Sequence, residues 1–104
     1  MASNTLVKKS TPSPPRRVLI VDDHPVVRLG IRQMISAEPD LVVAAEADMP
    51  ESAMRACRAS EIDLAIVDLS LGSASGLELI KQLHETHPDL PILVLSMHDE
   101  SLFA

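Results

Sequence analysis

Apolar residues follow two rhythms along this chain. Val18 to Val21, Leu41 to Ala45, Leu64 to Val67 and Ile92 to Leu95 are unbroken apolar runs. Short runs without polar alternation fit strands covered on both faces, the situation inside a parallel sheet. Between them the spacing lengthens to that of helices. Pro25 suits a first helical turn, and Val27, Ile31, Met34 and Ile35 recur at i, i+4, i+7 and i+8, predicting a helix that buries these four. Asp48-Met49-Pro50-Glu51 predicts a second helix, with Asp48 as its N-cap, running to about Arg58. Ser70 to Gly76 holds two of the three glycines and three serines and predicts a loop. Ser75-Gly76-Leu77-Glu78 is a Ser-x-x-Glu capping box, and Leu79, Ile80 and Leu83 give that third helix its buried stripe. The resulting order, β-α-β-α-β-α-β, implies an α/β fold: right-handed crossovers and a parallel sheet with helices on both faces.

Composition narrows this picture. With 104 residues, 46% of them apolar, there is room for one domain with a packed core, and because Phe103 is the only aromatic that core is aliphatic. Residues 1–15 carry three prolines among serines and threonines and read as a disordered leader, so the domain spans 16–104. The net charge of −6 offers nucleic acid or an anionic membrane no attraction, and four of the nine basic residues, Lys8, Lys9, Arg16 and Arg17, lie in or beside the leader. Cys57 is alone, which rules out an internal disulfide and fits a reducing compartment; its neighbours place it as a small buried hydrophobe. No run approaches the roughly 18 residues of a membrane span, and the expected location is cytoplasmic.

Three of the apolar runs end at oxygen-bearing side chains: Val18–Val21 at Asp22 and Asp23, Leu64–Val67 at Asp68, and Ile92–Leu95 at Ser96. In an open α/β sheet those ends gather at the carboxyl edge, where ligands bind. Alone, Asp22-Asp23 would be an exposed helix cap and Ser96 a turn hydroxyl. Together they form a site, and three carboxylates held close repel one another unless a hard cation such as Mg²⁺ or Ca²⁺ sits among them. His84 and His87, three apart near a helix end, lack the further ligands of a metal set. His24 and His98 flank the acids, but the sequence shows neither a partner.

The segment Val18-Leu19-Ile20-Val21-Asp22-Asp23-His24-Pro25, the Asp68 strand with Gly76 eight residues on, and Ser96 after an apolar strand resemble the receiver domain of bacterial two-component response regulators. Asp-Asp-His-Pro followed by Val26, Val27, Arg28 and Gly30 is most similar to the subfamily whose receivers precede a LuxR-type helix-turn-helix domain. The resemblance implies a flavodoxin-like, doubly wound sheet of order 2-1-3-4-5, here with four of five strands. It also implies that Asp68 accepts a phosphoryl group from a sensor histidine kinase. Asp22, Asp23, Asp68 and the backbone carbonyl of Ser70 would hold Mg²⁺, and Ser96 would donate its hydroxyl to a phosphoryl oxygen as the family's switch. A receiver homodimer is a further implied partner, and DNA would be bound only through a C-terminal domain.

Two departures qualify the resemblance. Gly72 stands where the family has a proline, which loosens the loop beyond Asp68. The family's phosphoryl-pairing lysine follows a fifth strand, whereas the last lysine here is Lys81. The domain is therefore expected to lack its C-terminal part, leaving Ile92–Leu95 a bare apolar edge and phosphorylation poor. An alternative reading is a non-phosphorylating interaction module that pairs with other receivers. A Mg²⁺-dependent phosphohydrolase is weaker, because Asp68-Leu69-Ser70 lacks the second acid such enzymes carry.

Overall fold

A computed structural model describes residues 14–71 and 74–95. Most of the expected leader, together with Gly72, Ser96, His98 and the segment after them, lies outside the described residues. The elements are β1 (Arg16–Val21), α1 (Pro25–Ser36), β2 (Leu41–Ala47), α2 (Pro50–Ala59), β3 (Leu64–Asp68), β4 (Ser70–Leu71), β5 (Ala74–Ser75), α3 (Gly76–Thr86) and β6 (Ile92–Leu95). The four long strands make one all-parallel sheet in the order β2-β1-β3-β6. This is the predicted doubly wound arrangement, with β1 and β3 in the interior.

The period of two along β1 and β3 divides the core. Leu19, Val21, Ala65 and Val67 point to one face, where they pack with Ala53 and Cys57 of α2 and Leu79 and Leu83 of α3. Val18, Ile20 and Ile66 point to the other and meet Ile35 of α1. Both faces of the central strands are thus covered, which is why their apolar runs are unbroken. Cys57 is buried, and burial pushes its thiol above the ordinary range.

Three local expectations change. Met34 is exposed, because the buried face of α1 is centred on Ile31 and Ile35 and a helix places residue 34 beyond its margin. The N-cap of α2 is Met49, in extended conformation and without a side-chain cap; Ser52 Oγ instead donates to the Met49 carbonyl. The predicted loop after β3 contains a small antiparallel ladder, Ser70 opposite Ser75 and Leu71 opposite Ala74.

Candidate functional site

The register Val21 opposite Val67 brings the ends of β1 and β3 level, so Asp22 and Asp68 emerge side by side at the carboxyl edge. Asp22 N–H continues the sheet by donating to the Ala47 carbonyl (3.0 Å), while Asp68 pairs in register with Leu95. Both carboxylates are completely buried, and Asp23, two residues past the end of β1, is about a quarter exposed. Burying a carboxylate is costly unless something compensates it.

Part of the compensation is His24. Its backbone N–H donates to Asp22 Oδ1 (2.8 Å), and its ring Nδ1 donates to the same oxygen (2.9 Å). Nδ1 is also 3.0 Å from Asp23 Oδ1, a charge contact without hydrogen-bond geometry, and 3.8 Å from Asp68 Oδ2. The hydrogen bond to Asp22, and after it the charge of Asp23, raise the imidazole above its ordinary pKa. Arg28, one turn into α1, donates to the Asp22 carbonyl (2.7 Å) and pins the turn from behind. Oδ2 of Asp22 is buried and has no hydrogen-bond partner among the described residues.

One donor atom each from Asp22, Asp23, His24 and Asp68 lies within 4.8 Å of all the others. Hard carboxylate oxygens around a buried, unbonded Oδ2 suit a small divalent cation. On the other side of Asp68, α3 begins against the strand end. Gly76 N–H donates to the Leu69 carbonyl (3.0 Å), and a Cβ at Gly76 would lie 2.2 Å from the Asp68 carbonyl oxygen. Only glycine permits this approach, and it fixes the backbone on which the Asp68 side chain is mounted.

Of the residues singled out in the sequence, Asp22, Asp23 and Asp68 converge, and Ser70 opens β4 two residues past Asp68. Ser96 lies outside the described residues. His84 is exposed, and His87 lies against Thr86 Oγ1 (2.8 Å), so neither joins the acids. His24 is the residue sequence reasoning left without a partner; the signal was its position, two residues after an acid in a turn. A groove of about 540 Å³ lined by Arg16, Asp63 and Asp89 lies at the opposite, amino-terminal edge of the sheet, away from the acids.

Residues 18–104 match the response regulator receiver domain. The chain belongs to this family. Among relatives, the receiver is 36% identical over 84 residues to the response regulator UvrY of Escherichia coli O157:H7, covering 81% of this chain and 38% of UvrY. Among solved structures it resembles a LuxR-family two-component response regulator from Aurantimonas sp. SI85-9A1, with TM-score 0.76 and 35% identity over 86% of this chain and 64% of that one. The isolated receiver domain of RcsB from Salmonella enterica serovar Typhimurium, solved in the presence of the phosphomimetic BeF3-, gives TM-score 0.76 and 30% identity over 82% of this chain and 64% of that one. The chain therefore spans about two fifths of the length of a curated relative such as UvrY. As a receiver it is a signalling domain of two-component systems, related to regulators of transcription.

Proposed function

We propose that this receiver accepts a phosphoryl group on Asp68 from a phosphohistidine of a sensor histidine kinase. The observation that carries the reading is the buried Asp68 carboxylate, level with buried Asp22 and beside Asp23 at the sheet's carboxyl edge. An Asp68 carboxylate oxygen attacks phosphorus, the P–N bond to the kinase imidazole breaks, and that imidazole leaves with a proton. The product is an acyl phosphate.

Asp22, Asp23 and Asp68 would hold Mg²⁺, with the Ser70 carbonyl as a further ligand. When bound, the ion screens the negative charge that otherwise keeps a carboxylate from an anionic phosphoryl group. This chain's residues supply the rest. β1 and β3 fix the acids in register, Arg28 holds the Asp22 carbonyl, and Gly76 lets α3 buttress the Asp68 backbone. Ser96, next after β6 in the sequence, would donate its hydroxyl to the new phosphoryl group and carry the switch. A receiver homodimer and a DNA-binding part would convert that switch into control of transcription in the cytoplasm.

The test is prolonged incubation of the protein with acetyl phosphate and Mg²⁺, read by intact mass. One added phosphoryl group is expected, sensitive to chelation and absent in Asp68→Asn. Equal labelling of Asp68→Asn would overturn the assignment.

A further inference from the structure

Hydrogen bonds hold Asp22 by both of its peptide groups, and both lead back to β2. Its N–H donates to the Ala47 carbonyl, and its carbonyl accepts from Arg28 Nη1 (2.7 Å). The second connection runs through Glu46, the residue before Ala47: Arg28 Nε lies 3.4 Å from Glu46 Oε1. Glu46 is itself gripped by a two-bond fork from Arg32, so α1 sets two guanidiniums on one carboxylate of β2. Among the described residues these arginines are its ion-pair partners, and it has no hydrogen bond to any of the acids. The Asp22 carbonyl belongs to the peptide that joins Asp22 to Asp23. That unit is planar, so holding its oxygen fixes ψ of Asp22 and restricts φ of Asp23, the two angles that set how the carboxylates stand to each other. A guanidinium suits the task, because its donors lie in fixed directions in one plane and can serve a carbonyl and a carboxylate at once.

We propose that Glu46 is a positioning residue for the acid pair, acting through Arg28: it orients the guanidinium that pins the Asp22–Asp23 peptide. The inference rests on the metal-dependent reading above and deepens it, because a pinned peptide presets the two carboxylates for a divalent cation. Positioning and charge make opposite demands at Arg28. Removing a positive group from beside the acids favours Mg²⁺ by charge alone, whereas releasing the peptide disfavours it.

Calorimetric titration of the full chain with Mg²⁺ tells the two apart. Arg28→Met, which keeps an apolar stem but no charge, is expected to bind Mg²⁺ about tenfold more weakly than the parent. Arg28→Lys, which keeps the charge but not the planar fork, should also bind more weakly, and it carries the comparison if circular dichroism shows that the methionine variant does not fold. Glu46→Gln should weaken Mg²⁺ binding in the parent and add nothing in the Arg28 variant, since it acts only through Arg28. In the metal-free protein the ¹⁵N resonance of the Asp23 amide, part of the pinned peptide, should shift in Glu46→Gln. Mg²⁺ binding in the Arg28 variants as tight as in the parent or tighter, or an equal loss from Glu46→Gln in both backgrounds, would overturn the positioning role while leaving the carboxylate site standing. Failure of the parent to bind Mg²⁺ would overturn the metal-dependent reading, and this inference with it.

Discussion

At the scale of single residues, the site is held in conflict with itself. Asp22 and Asp68 are buried beside one another, and Asp23 adds a third carboxylate at their margin. Asp23→Asn removes like charge without opening a cavity. The metal-free variant is therefore expected to melt at the same temperature as the parent or slightly above it. It should also lose the stabilisation that Mg²⁺ gives the parent, about 1.4 kcal/mol at ten times the dissociation constant. Scanning calorimetry with and without Mg²⁺ reads both effects. A large drop in metal-free stability would identify Asp23 as a helix cap instead, although α1 has no side-chain cap bond at its N-cap, His24.

At the scale of elements, a second cluster ties α1 to β2 beside the site. Arg32 forks onto Glu46 through Nε to Oε2 (2.6 Å) and Nη2 to Oε1 (3.1 Å), and Arg28 Nε lies 3.4 Å from Glu46 Oε1. The Arg32 hydrogen bonds hold the Glu46 carboxyl below its ordinary value of 4.5. A depressed folded-state pKa means the stabilisation is complete above the unfolded value and disappears as pH falls through the folded one. Glu46→Gln should therefore cost about 0.5 kcal/mol near neutral pH, a figure discounted for solvent screening. That difference should vanish in urea titrations repeated in acid; if it persists there unchanged, charge is not its source. None of this pairing was legible in the sequence, because it depends on how α1 packs against β2 and not on spacing within either element. The long strands, the three helices and the acidic triad were legible. Runs such as Leu64–Val67 report two-sided burial directly, and Asp22 and Asp68 follow from where such runs stop. The α2 cap was misplaced from Met49 to Asp48 and the inward turn of His24 was missed, since both are set by local dihedral angles that residue type constrains only weakly.

At the scale of the whole molecule, a line of backbone hydrogen bonds crosses the carboxyl edge. The Leu95 carbonyl at the end of β6 accepts from Leu69 N–H, and the Leu69 carbonyl accepts from Gly76 N–H, each at 3.0 Å. β6, the residue after Asp68 and the first turn of α3 are thus joined in series, with no side chain at Gly76 to cushion the last joint. β6 itself is the less sheltered partner, with Leu93 and Val94 each about half exposed. Bonds joined in series through one residue open together, so the cooperative unit is bounded by its weakest member. In native-state hydrogen exchange the Leu69 and Gly76 amides are expected to share one opening free energy with the β6 ladder, below that of Ile20 in β1. Gly76 protection matching that of Ile20 would show the joints to be independent. If they are coupled, the lifetime of the surroundings of Asp68 is set by how long β6 stays docked, and events at that strand are felt at Asp68 within a single opening step.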